Sequence, residues 1–112
     1  MKSFDELRDQ IKEFCDNRDW ASFHDPKNLA LSLQLESSEV LELFQWTKDN
    51  EINPEKLSEL PSELADVFYW LILLSEKYNI NLFEALEEKM KQNELKYPIE
   101  KSKGVSTKYT DL

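Results

Sequence analysis

Two carboxylate pairs stand at helical spacing in this chain: Glu36-Ser37-Ser38-Glu39 and Glu63-Leu64-Ala65-Asp66. Residues three apart on a helix share a face, so the two acids of each pair point the same way. Both pairs lie in apolar surroundings. Leu29-Ala30-Leu31 and Leu33 lead into the first, and Val40, Leu41, Leu43 and Phe44 follow it. The second runs directly into Val67-Phe68-Tyr69-Trp70-Leu71-Ile72-Leu73-Leu74. Four acids on core-facing helices repel one another and lose hydration. A divalent metal bound through oxygen is the simplest charge to offset them. The plainer reading is that they are surface carboxylates at helix starts, where Glu63 and Asp66 would suit the helix dipole. Helical pattern alone does not decide between the two. Glu42 continues the first series at i+3, but its angle drifts off the face.

The elements that must position these acids are helical. Helix 1 is expected from Phe4 to Arg18, with Ser3 and Glu6 as a capping box and Phe4, Leu7, Ile11 and Phe14 as its apolar stripe. Residues 19–26 break the period and read as a connecting loop. Helix 2 is expected from near Asn28 to about Asp49, which puts Trp46 on the face of Glu39. Asn53-Pro54 reads as a cap and first turn of a short helical segment. Pro61 opens helix 3, which runs to about Tyr78 and sets Trp70 four residues beyond Asp66 on the same face. Asn81 caps helix 4, with Leu82, Phe83, Leu86 and Met90 facing inward and an end before Pro98. The expected organisation is one α-helical domain over residues 1–98 and a polar, flexible tail over 99–112.

The fold class that follows is all-α, four-helix bundle-like. A single glycine, Gly104, in 112 residues argues against a β-rich fold and against a glycine loop for phosphate. Val67 to Leu74 is apolar all round and needs cover on every side. That predicts a homodimer or homotetramer. The net charge of −9 argues against a nucleic acid polymer or an anionic membrane as partner. It does not exclude a small anion, because a bound metal inverts the local sign. Cys15 is the only cysteine, no signal-peptide pattern opens the chain, and no apolar run is long enough to span a bilayer. A cytoplasmic setting is the expectation.

Further residues give the acids a context. Arg18-Asp19-Trp20, Phe23-His24, Pro26 and Asn28-Leu29-Ala30 precede them; Glu42-Leu43-Phe44-Gln45-Trp46 and Asp66-Val67 accompany them; Lys89-Met90, Asn93 and Lys96-Tyr97-Pro98 follow. Together with Glu-x-x-Glu and Glu-x-x-Asp, this collinear series resembles the all-α nucleoside triphosphate pyrophosphohydrolases. These are the MazG-like group, and the match is to its dCTP pyrophosphatase-like branch.

The resemblance implies hydrolysis of a nucleoside triphosphate to the monophosphate and pyrophosphate, in a house-cleaning role. Glu36, Glu39, Glu63 and Asp66 would be the catalytic acids and hold Mg²⁺. Lys89 would contact phosphate, and Asn93 would hydrogen-bond sugar or phosphate. Trp20 and Trp46 would wall the base pocket, with His24 and Tyr97 as further substrate contacts. Each has a blander alternative: Trp46 and Trp20 as packing residues, His24 as a loop cap, Tyr97 as structural. Trp70 and Tyr69 read as core or subunit contacts, and Cys15 as a small core hydrophobe. The rival function is a non-catalytic helical regulatory or partner-binding protein that keeps the fold.

Overall fold

A computed structural model describes all of residues 1–112, and every regular element is helical. Two compact units divide the chain, Met1–Asn79 and Ile80–Leu112.

In the first unit, α1 spans Phe4–Asp16. Ser3 Oγ accepts the Glu6 N–H at 3.2 Å, and the Glu6 carboxylate accepts the Ser3 N–H at 3.4 Å, the expected capping box. The helix stops short of Arg18 because the backbone tightens to i→i+3 bonding. Arg18 N–H bonds Cys15 O, Asp19 N–H bonds Asp16 O, and Asp19 then turns left-handed at φ 54°. The expected loop contains a 3₁₀ turn, Trp20–Phe23. Helix α2 spans Pro26–Glu42, with Asp25 capping the Asn28 N–H at 2.8 Å. Proline at the first helical position places the start two residues before Asn28.

The C-terminal end of α2 differs more from expectation. It falls at Glu42, not Asp49. Phe44 and Gln45 N–H groups bond back only three residues, and the chain reverses at Trp46 with φ 64°. The Asn53 N–H then bonds Leu43 O at 3.0 Å and closes the connection. A 3₁₀ turn, Pro54–Glu59, leads into α3, Leu60–Lys77, with Pro61 in its first turn.

Helices α2 and α3 make the most extensive contact in the chain. Leu29 at the start of α2 meets Leu73 near the end of α3, together with Cys15 of α1. The two helices therefore run antiparallel. Leu29 is 1% exposed, and full burial of a leucine contributes about 1.5–3 kcal/mol. The Cys15 thiol and Tyr69 hydroxyl share a hydrogen bond at 3.3 Å beside this cluster. Burial, then the Cys15 contact, push the Tyr69 phenol above its ordinary range, against a smaller opposing effect of Arg18.

The apolar run of α3 is half covered by its own chain. Ile72 and Leu73 are buried, whereas Leu64, Phe68 and Leu71 are exposed in an i, i+4, i+7 row. The buried apolar side chains are Cys15, Leu29, Leu43, Ile72 and Leu73 alone, a small core for a chain of this apolar content.

In the second unit, α4 spans Leu82–Lys96, and Asn81 Oδ1 accepts the Glu84 N–H at 3.1 Å. Phe83, Leu86 and Met90, expected to face inward, are exposed and line a groove of about 540 Å³ with Glu87, Lys91 and Glu94. Residues 99–112, expected as a flexible polar tail, carry α5, Ile99–Ser102, and a 3₁₀ turn, Tyr109–Asp111. Gly104 sits between them at φ 80°, a left-handed turn that glycine takes without strain. No helix is long and apolar enough to cross a membrane.

Candidate active site

The antiparallel pairing of α2 and α3 brings the late part of one helix against the early part of the other. The two acid pairs meet there. A carboxylate oxygen from each of Glu36, Glu39, Glu63 and Asp66 lies within 4.8 Å of the other three. Donors around an oxygen-coordinated divalent ion lie about 3–5 Å apart, from metal–oxygen distances of about 2.0–2.6 Å. The quartet has that size.

The electrostatics agree. Every ion pair in the chain involves Arg8 or Lys12, so no side-chain cation offsets the four acids. Glu36 Oε2 and Glu63 Oε2 are shielded from solvent and take no hydrogen bond. The Glu36 carboxyl is held above its ordinary range, first by burial, then by the close approach of the Glu39 carboxyl and the charges of Glu39, Asp66 and Glu63. Glu63 is raised too, first by the contact with Glu39, then by burial and the neighbouring acids, Glu59 among them. Two orphaned carboxylate oxygens inside an unneutralised cluster fit a divalent cation, and they do not fit a solvated charge stripe.

A cleft of about 510 Å³ is lined by Trp20, His24, Asn28, Ser32 and Trp70 with apolar neighbours, none of the four acids among them. Ser32 precedes Glu36 by one turn on α2, and Trp70 follows Asp66 by one turn on α3. On both helices the cleft wall thus begins about 6 Å along the axis from an acid. The Arg18-Asp19-Trp20 segment has a clear local purpose. Asp19 reverses the chain, and Trp20 then packs edge-on to Phe14 at 5.4 Å. The Arg18 guanidinium covers the Phe14 ring at 3.8 Å and donates to Phe14 O at 3.0 Å. His24 meets Trp70 edge to face at 5.7 Å. Asn28 Nδ2 donates to Phe23 O at 3.2 Å and to Asp25 Oδ2 at 2.8 Å, which fixes the amide at the cleft mouth.

The sequence-predicted residues distribute as follows. The four acids come together, and Trp20 and His24 line one cleft beside them. Trp46 does not line that cleft: it lies beyond the end of α2 with a 91% exposed indole. Its expected place on the Glu39 face required a helix that continues past Glu42. That residue too is exposed at the helix end. Lys89 and Asn93 lie on α4 and Tyr97 caps it, in the second unit. Lys89, Asn93 and Lys96 are spaced i, i+4, i+7 and share one face of α4. Sequence reasoning missed Trp70, Asn28 and Ser32 as cleft residues. The signal for Trp70 was present, since it stands one turn from Asp66 on the acid face.

Comparison with known proteins gives this geometry a family context. The MazG-like family pattern matches residues 31–112. The chain is 38% identical over 115 residues to mouse (Mus musculus) dCTP pyrophosphatase 1, covering 98% of this chain and 68% of that protein. The human (Homo sapiens) protein of the same name is 37% identical over the same shares. A pyrophosphatase from Archaeoglobus fulgidus DSM 4304, known from a crystal structure, superposes with a TM-score of 0.74 at 39% identity. That match covers 88% of this chain and 94% of the other.

Proposed function

The chain belongs to the MazG-like family and is a nucleoside triphosphate pyrophosphohydrolase, and from that premise we propose a Mg²⁺-dependent enzyme that prefers dCTP-like substrates in a house-cleaning role. The observation that carries the reading is the unneutralised quartet of Glu36, Glu39, Glu63 and Asp66 within 4.8 Å, set one helical turn from an aromatic cleft.

In this reading the quartet holds Mg²⁺. When bound, the ion supplies charge neutralisation for phosphate oxygens and lowers the pKa of water at neutral pH. The chain's own residues do the rest. Trp20 and Trp70 wall the base, with stacking of about 1–3 kcal/mol for each base–aromatic contact. His24, Asn28 and Ser32 supply the polar groups that a base edge needs. The ionised acids accept the proton lost by the attacking water, and the product is the monophosphate with pyrophosphate. Lys89 takes phosphate as a point charge, and Asn93 and Tyr97 hydrogen-bond sugar or phosphate. Their support is the resemblance of the Lys89…Asn93…Tyr97 series and the shared face on α4.

The proposed assembly is a homodimer or homotetramer of bundled helices. Its support is the small core and the exposed row of Leu64, Phe68 and Leu71. Trp46 stacks on the base only in such an assembly, because in the single chain its indole lies outside the cleft. A tryptophan held at φ 64° is a backbone outlier, which supports a functional reason for its outward presentation. Free Cys15 and the absence of any disulfide suit a cytoplasmic setting.

The experiment is a panel of ribo- and deoxynucleoside triphosphates with Mg²⁺, read as kcat/KM. The proposal expects dCTP or a modified cytosine nucleotide to lead. A flat profile across bases would remove the base-specific reading of the cleft.

A further inference from the structure

Residues 106–111, Ser-Thr-Lys-Tyr-Thr-Asp, have no role in the chemistry above, yet Tyr109 makes three contacts with the end of α4. The Lys96 ammonium stands 4.7 Å from the centre of the Tyr109 ring. The Tyr97 ring meets the Tyr109 ring edge to face at 6.0 Å and 80°. The Tyr109 backbone N–H donates to the Tyr97 hydroxyl oxygen at 3.2 Å. The family match runs through residue 112, so this segment lies inside the matched region.

We propose that Tyr109 is a positioning residue that holds Lys96 and Tyr97 ready for the substrate's phosphates. This rests on the reading of the α4 face given above and adds Lys96 to it as a second cation. The chemistry follows from each contact. An aromatic face restrains an ammonium without neutralising it, so Lys96 keeps its full charge while losing rotamer freedom. The Tyr97 oxygen accepts from the backbone, which leaves its own O–H proton to be donated outward. An anion is the natural acceptor. Lys96 also sits at the negative end of α4, which favours a cation there. The C-terminal segment thus pre-orders two donors whose freezing would otherwise cost binding energy.

The test uses the full chain with Mg²⁺ and dCTP, and inorganic pyrophosphate as a competing ligand. Tyr109→Leu keeps apolar bulk and removes the aromatic face; Tyr109→Phe keeps the face and removes only the hydroxyl. Tyr109→Leu is expected to raise both KM for dCTP and Ki for pyrophosphate by about two- to fivefold, the equivalent of one exposed cation–π contact. Its kcat should stay within about twofold, because the acids are untouched. Tyr109→Phe should restore both constants. A Tyr109→Leu enzyme with unchanged KM and Ki would overturn the proposal, as would a loss confined to kcat and melting temperature. Lys96→Gln separates the two levels. Should it leave Ki for pyrophosphate unchanged, the α4-face reading itself fails. A Lys96→Gln effect without a Tyr109→Leu effect removes the positioning role alone.

Discussion

His24 and Trp70 meet edge to face with ring centres 5.7 Å apart. The contact joins the 3₁₀ turn after α1 to the middle of α3, one turn from Asp66. It ties the loop side of the cleft to the helix that carries Glu63 and Asp66. A T-shaped aromatic contact is worth about 0.5–1.5 kcal/mol, so it also fixes where the cleft wall stands.

Trp70→Leu is therefore expected to raise KM for nucleotides by about fivefold or more, from lost stacking of about 1–3 kcal/mol. Affinity for Mg²⁺ alone should hold. Isothermal titration with Mg²⁺ and steady-state kinetics check this. An unchanged KM with an early melt would return Trp70 to the core.

Glu39→Gln and Asp66→Asn should each abolish turnover while leaving the helical fold. Each removes one charge from a repelling cluster, so stability of the metal-free protein should hold or rise. Circular dichroism melts and pyrophosphate release measure the two halves. Activity retained at saturating Mg²⁺ would remove the metal-ligand assignment.

The metal-free protein should lose stability as pH rises above the ordinary glutamate range. Glu36 is raised in the fold, so the folded state holds its proton where the unfolded state has released it. Its contribution is fully present below the unfolded pKa and is lost as pH climbs through the folded one. Glu36→Gln removes that titration. The melting-temperature gap between Glu36→Gln and the native chain should widen from pH 4.5 upward and shrink on adding Mg²⁺. A gap independent of both pH and Mg²⁺ would contradict the account.

Ile72→Asp and Leu73→Asp would unfold the subunit, because both side chains are buried within it. Leu64→Asp is the better probe of assembly. Leu64 is 51% exposed on the outward row of α3. Sedimentation should find a folded, smaller species with reduced activity. An unchanged assembly would move the contact to another face.

Much of this was legible in the chain. Ser3, Asn53 and Asn81 announced their caps because capping is local chemistry, decided within three residues. The acid quartet was legible because i, i+3 spacing places two carboxylates together on any helix. What brought the pairs face to face was the antiparallel packing of α2 on α3, which is not local. The end of α2 was misplaced for the same reason. Its apolar pattern continues to Trp46, but the Asn53–Leu43 closure and the left-handed turn at Trp46 override it. Trp70 was read as core or a subunit contact because the apolar run around it outweighed the one angular clue, its place one turn from Asp66 on the acid face.

The most direct measurement is the product identity from dCTP with Mg²⁺, resolved by anion-exchange chromatography. The account predicts dCMP and pyrophosphate in equal amounts, with neither formed by Glu39→Gln. Release of dCDP with orthophosphate, or equal turnover in Glu39→Gln, would contradict it.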